Sequence, residues 1–196
     1  MRRATEMTAV DDRRVHEAFE NLVVPEGFKA ELIRGEIVMM AGPDKVHNRI
    51  VQFVQDQIPS DRWERLQTQD VAFPHEESEP QPDLVVMKAG ADDSPGRLVP
   101  APAVTMLVEV VSKTSVHRDY VEKRSIYAAG GVPVYLIIDP FEAKCLVLTE
   151  PTGTGLSADY QNSRTRKFGD RVQLPIVGVD LDTSRFGTLP PLTPAP

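Results

Sequence analysis

Cysteine is nearly absent from this chain. Its one representative among 196 residues, Cys145, excludes an intramolecular disulfide and a cysteine-rich zinc site. No apolar run approaches the roughly 18 residues that a bilayer-spanning helix needs. Met1 to Arg14 is charged and carries no apolar stretch, so it does not read as a secretory signal. A glycine-rich phosphate loop ending in Lys-Ser or Lys-Thr is missing, which removes the usual NTPase reading. Gly-x-Ser-x-Gly is missing too, and Ser112 and Ser115 have no paired His and Asp in a known nucleophile setting. Positive charge is in deficit. Lys and Arg number 22 against 29 Asp and Glu, a formal charge of −7, which argues against a non-specific nucleic-acid coat protein. An enzyme with a local basic cleft stays open, because net charge averages over surfaces that never meet a ligand. The expectation is a cytoplasmic protein with no membrane partner.

What is present fits one ordinary domain. Hydrophobic residues make up 41% and charged residues 26%, and the length suffices for a core without disulfides or structural metal. We place a single domain over residues 1–188 and a Pro-rich flexible tail over 189–196, where Leu189-Pro190-Pro191-Leu192-Thr193-Pro194-Ala195-Pro196 supports neither helix nor central strand. Asp92 to Pro102 and Pro151 to Gly155 read as irregular loop and turn. Between these breaks the pattern alternates. A helix is expected over Val10–Leu22, and a β-hairpin of Lys29–Ile33 and Glu36–Met40 about Arg34-Gly35. Pro43-Asp44 opens a helix over Lys45–Ile58, with Val46, Ile50, Phe53, Val54 and Ile58 at helical spacing. Strands follow near Glu64–Phe73, Asp83–Lys88 and Val104–Val111. A helix over Val116–Ala129 stops at Gly130-Gly131, and strands Val132–Ile138 and Lys144–Thr149 meet at Asp139-Pro140. Short strands near Tyr160 and Val172 complete the set.

The chemistry stands out against apolar surroundings. Val104 to Val111 is almost wholly apolar, as a strand buried on both faces would be, yet it contains Glu109. An ionised carboxylate costs several kcal/mol to bury unless something compensates it. A lone Glu of this kind is more often salt-bridged or turned to solvent. A second acid changes the balance: Gln81-Pro82-Asp83 opens another apolar strand. Two such strands with only a loop between them can be sheet neighbours, and their carboxylates can converge on one hard cation such as Mg²⁺, with the Val110 carbonyl as a further oxygen. On the next helix, Val116, Tyr120, Lys123 and Tyr127 share one stripe at about 100° per residue. This places Lys123 on the sheet-facing side, where an ammonium can orient a nucleophile and stabilise developing charge.

The order Pro-Asp, then Glu on the next strand, then Lys resembles the PD-(D/E)XK nuclease superfamily. More narrowly, the chain is similar to the Uma-two family of bacterial endonucleases. The matching stretches are Glu31-Leu32-Ile33-Arg34-Gly35-Glu36, His47, Gln81-Pro82-Asp83-Leu84, Val108-Glu109-Val110-Val111-Ser112, Arg118-Asp119 with Glu122-Lys123-Arg124 and Tyr127, and Gly131-Val132-Pro133-Val134-Tyr135 running to Ile138-Asp139-Pro140. The resemblance implies an α/β (α+β) restriction-endonuclease-like fold, a mixed central sheet flanked by helices with an N-terminal hairpin. It implies Asp83, Glu109 and Lys123 as the metal and catalytic constellation, with Glu31 joining them. Mg²⁺ or Mn²⁺ is the expected cofactor and DNA the expected partner, with a homodimer as one candidate assembly. Val111 occupies the position where the superfamily usually carries its lysine, so Lys123 resembles a lysine that has migrated to the following helix. Where the family usually has Pro-Ser-Thr after the serine, this chain has Lys113-Thr114-Ser115, and Lys113 is the competing candidate.

Lys113, His117, Arg118 and Arg124 are candidate nucleic-acid contacts, to backbone rather than bases. Lys113, Arg118, Lys123 and Arg124 against Asp119 and Glu122 give a local charge of +2, and Arg164, Arg166, Lys167 and Arg171 against Asp170 give +3. His47 at a helix start is more often a capping or packing residue, His75 lies in an acidic loop, and Trp63 reads as core. The rival functions are a binding module that keeps such a fold without the chemistry, and a hydrolase of small phosphoesters.

Overall fold

Arg34 and Gly35 both adopt left-handed backbone, at φ 48° and 76°. That is the geometry of a two-residue hairpin turn whose twist matches its strands. It joins β1 (Phe28–Ile33) to β2 (Glu36–Ala41) in antiparallel register, Ile33 opposite Glu36. The computed structural model describes residues 14–190 and 192. The described chain begins in a helix at 14–20; the first part of the helix expected from Val10 lies outside the described residues, as do 191 and 193–196 of the tail.

The central sheet has six strands in the order β10-β9-β8-β7-β5-β3. They are β3 (Trp63–Gln67), β5 (Leu84–Lys88), β7 (Val104–Val110), β8 (Val134–Asp139), β9 (Lys144–Thr152) and β10 (Asp159–Lys167). Only β7 and β8 run parallel, so only this pair needs a crossover, which the helical segment 116–129 supplies. The sheet is mixed and both faces are covered. One face packs α1 (Lys45–Gln57) through Ile50, Val51 and Val54 onto Leu84, Val86, Met106, Val108, Leu136 and Ile138. The other packs α2 (Lys123–Ala129) through Ile126, Tyr127 and Ala128 onto Val85, Leu107, Val111, Tyr135 and Ile137. Asp44 caps α1 by accepting from the N–H groups of Val46 and His47 at 2.8 and 2.9 Å.

Five expectations are corrected. The strand expected over Glu64–Phe73 is two strands, β3 and β4 (Asp70–Ala72), which belong to different sheets. They part at Thr68, whose φ of 51° breaks the extended run. The stretch Asp92–Pro102 is not wholly irregular: β6 (Leu98–Pro100) pairs parallel to β4 and buries Val99. The strand near Tyr160 runs nine residues as the sheet edge β10, and the one near Val172 is a hairpin of β11 (Arg171–Leu174) and β12 (Val179–Asp182). The acidic loop at His75 is also more than a solvated turn. Glu76 and Glu79 are buried in it and paired with Arg34 and Arg97. Leu189, the first tail residue, donates its N–H to the Pro140 carbonyl at 2.9 Å. Among the described residues no helix is long and apolar enough to cross a membrane.

Candidate metal centre

Antiparallel register sets the two strand acids side by side. Leu84 pairs with Val108, and one step further along the same register Asp83 stands opposite Glu109. Strand alternation gives both acids the face that carries Val85, Leu107 and Val111, the α2 side. The Val110 N–H donates to Asp83 Oδ2 at 2.8 Å and ties the strand ends together. From α2, Lys123 Nζ donates to Glu109 Oε1 at 2.7 Å and to Glu31 Oε1 at 2.8 Å, and the Tyr127 hydroxyl donates to Glu109 Oε1 at 2.7 Å. From β1, Lys29 Nζ lies 3.6 Å from Glu31 Oε1 and 3.8 Å from Asp83 Oδ1. From the first turn of α1, His47 Nε2 lies 2.9 Å from Asp83 Oδ2. A cavity of about 330 Å³ opens on Asp83, Glu109, Val110, Lys123, His47, Lys29, Asp119 and the turn Ser112–Ser115.

Its electrostatics are those of a buried, over-acidic cluster. Four carboxylates, Glu31, Asp83, Glu109 and Asp119, are buried with Lys123 and His47, and the half-buried Lys29 stands beside them. Burial alone would lift Asp83, yet the His47 bond, Lys29 and the Val110 N–H hold it down at about 2. Glu31 is likewise held below its ordinary value against burial, by Lys123 and Lys29. Glu109 is raised by burial, which Lys123 only partly offsets, and Asp83 adds to the rise. The difference lies in the further neighbours: Glu31 also accepts the Gln81 N–H at 2.9 Å and has Lys29 3.6 Å away, whereas Glu109 faces the Asp83 carboxylate. Burial and Glu109 push Asp119 well up. Burial would lower Lys123, but Glu109 and Glu31 hold it above its ordinary value.

A family described as "Putative restriction endonuclease", Uma2, matches residues 16–184 of the chain. The chain belongs to the Uma2 family. A solved structure titled as that of a "putative nuclease belonging to DUF820" from Anabaena variabilis superposes on it with a TM-score of 0.67. At 15% sequence identity the alignment covers 87% of this chain and 95% of that one, so the fold is shared. No curated protein matches.

Within this Uma2 fold the sequence-derived candidates separate. Asp83, Glu109, Val110 and Lys123 line one cavity. Glu31 is fully buried behind Lys123 and touches the cavity only through it. Lys113 is exposed in the turn after β7 and lines the same cavity. His117 and Arg124 do not; they line a different cavity on the far side of the helix, where Arg124 is bonded to Asp159 and His117 to Glu122. Arg118 packs against Met40 with its guanidinium on the sulfur. Sequence reasoning passed over Lys29 and Asp119 and discounted His47. Two signals were available: Lys29 shares a strand face with Glu31, and Asp119 stands one helical turn before Lys123. The helix widens to a π-type turn over Arg118–Glu122, with the Lys123 N–H bonded to the Arg118 carbonyl. Such bulges often mark functional sites.

The donor set fits a hard dication: the carboxylates of Asp83 and Glu109 line one cavity with Val110. A second group, His16, Glu20 and Glu79, has ligand atoms within 4.8 Å of one another. There Arg97 already serves as the cation, bonded to Glu20, Asp70 and Glu79.

Proposed function

We propose that this Uma2 member is a divalent-cation-dependent endonuclease that hydrolyses phosphodiester bonds of DNA. The observation that carries the reading is the convergence of Asp83, Glu109 and Lys123 on one cavity, with the lysine bonded to the second acid. Asp83, Glu109 and the Val110 carbonyl would hold Mg²⁺ or Mn²⁺. Such an ion supplies Lewis-acid polarisation of a phosphoryl oxygen and acidifies a water.

The chain's own residues do the rest. Lys123 is held as an ammonium by Glu109 and Glu31, so its part is electrostatic: a positive charge beside the developing negative charge of the phosphorane. Glu31, on the other side of Lys123, fixes where that ammonium sits and is a positioning residue. The Val110 N–H keeps one Asp83 oxygen aimed, leaving the other toward Lys29. Lys113, exposed at the same cavity, would meet a backbone phosphate.

The test is cleavage of supercoiled plasmid with Mg²⁺ or Mn²⁺ and with chelator, for the parent and Asp83→Asn. The expected result is metal-dependent nicking that the variant loses by at least about 100-fold. Equal nicking by both proteins would overturn the assignment.

A further inference from the structure

We propose that the His47 imidazole is itself a ligand of the dication, so that the centre favours a transition-series ion such as Mn²⁺ over Mg²⁺. This rests on the reading of Asp83 and Glu109 as cation ligands. His47 sits in the first turn of α1, the helix on the sheet face opposite α2, and reaches Asp83. Its backbone is fixed by Asp44, which accepts its N–H at 2.9 Å. The ring is buried and lines the same cavity as Asp83, Glu109 and Val110.

Its Nε2 and Asp83 Oδ2 are 2.9 Å apart. Two ligands at right angles on an octahedral ion, with bonds of about 2.1 Å, stand about 3 Å apart. The pair therefore already has the spacing of neighbouring ligands. Asp83 is the ring's one hydrogen-bond partner, since Nδ1 is buried with none. A dication seated between them would take the place of the proton that Nε2 shares with Asp83, so the ring gives up this one bond and no other. Imidazole is the donor that separates the candidate ions: Mg²⁺ prefers oxygen and water, whereas affinity for nitrogen grows from Mn²⁺ along the series.

A histidine that merely braced Asp83 would not touch the ion, and that difference is measurable on the full chain without turnover. Mn²⁺ bound to the parent protein should show nitrogen modulation in its electron spin echo, altered by ¹⁵N-histidine labelling. The modulation should vanish in His47→Asn and persist in His16→Asn, which controls for the outlying cluster. By calorimetry the parent should prefer Mn²⁺ to Mg²⁺, and His47→Asn should weaken Mn²⁺ about 10-fold or more while changing Mg²⁺ far less. The parent measurement stands even if a variant folds poorly. Mn²⁺ that is lost in Asp83→Asn but shows no nitrogen coupling in the parent would overturn the imidazole ligand and leave the acid site standing. Undiminished Mn²⁺ binding in Asp83→Asn would overturn the acid site itself.

Discussion

Asp83 and Glu109 sit side by side, yet their protons behave oppositely, and each yields a prediction without any cation. Asp83 falls from an ordinary 3.8 to about 2, so its contribution to stability is complete above 3.8 and is lost as pH falls through about 2. The shift corresponds to on the order of 2 kcal/mol. Urea melts near pH 5 and near pH 2 should show the parent losing that much more stability than Asp83→Asn; equal losses would contradict the pairing with His47 and Lys29. Glu109 is raised instead, so its stabilising share is present below the ordinary 4.5 and lost as pH rises. Ionised and without a dication, it is only partly compensated by Lys123. Glu109→Gln keeps an acceptor for Lys123 and Tyr127, and in chelator it should melt at or above the parent. Glu109→Ala strands both donors and should cost about 3 kcal/mol or more. A Gln variant that melts well below the parent would make the ion pair with Lys123, rather than a cation, the reason for this carboxylate.

At the level of elements, packing follows patterns the sequence displays openly, and the exceptions have local causes. The hairpin at Arg34-Gly35, α1 behind Asp44, and the helix ending at Gly130-Gly131 each carry a turn or cap residue with a mechanism, and each forms where those residues stand. Asp83, Glu109 and Lys123 are legible for the same reason: each is a charge in an apolar run or on an apolar stripe. The break at Thr68 is not legible, because a β-branched residue in left-handed backbone runs against its own preference. Nor is the role of Lys29 and Asp119, since a buried charge on a mixed strand or helix looks like any solvated one until its partners are placed. Two substitutions test these elements. Thr68 is exposed and strained, so Thr68→Gly should raise stability by about 1 kcal/mol. Gly130 lies against Phe73, where an added Cβ would stand 2.3 Å from the ring of a buried core residue. Gly130→Ala should cost about 1–3 kcal/mol. Denaturant melts decide both, and a stabilised Gly130→Ala would mean that the α2–Phe73 contact is looser than drawn.

As a whole the molecule is acidic, at −7, and the cavity on Asp83 and Glu109 gathers acids and lysines at the end of a sheet covered on both faces. DNA approaching such a surface would be held by few phosphate contacts. Lys113→Ala should therefore weaken binding and flatten the salt dependence by about one unit of slope, with the chemical step little changed. Lys123→Ala should do the reverse, lowering turnover by orders of magnitude with affinity retained; circular dichroism at the assay temperature checks that Glu31 and Glu109, left without their ammonium, still permit folding. On this reading the paired acids form a cation site. Crystals soaked in Mn²⁺ test it most directly, through anomalous scattering at the manganese edge. The account predicts a peak between the carboxylates of Asp83 and Glu109, with the Lys29 ammonium moved away from Asp83. A saturating soak that leaves Lys29 beside Asp83 and no peak between the two acids would contradict it.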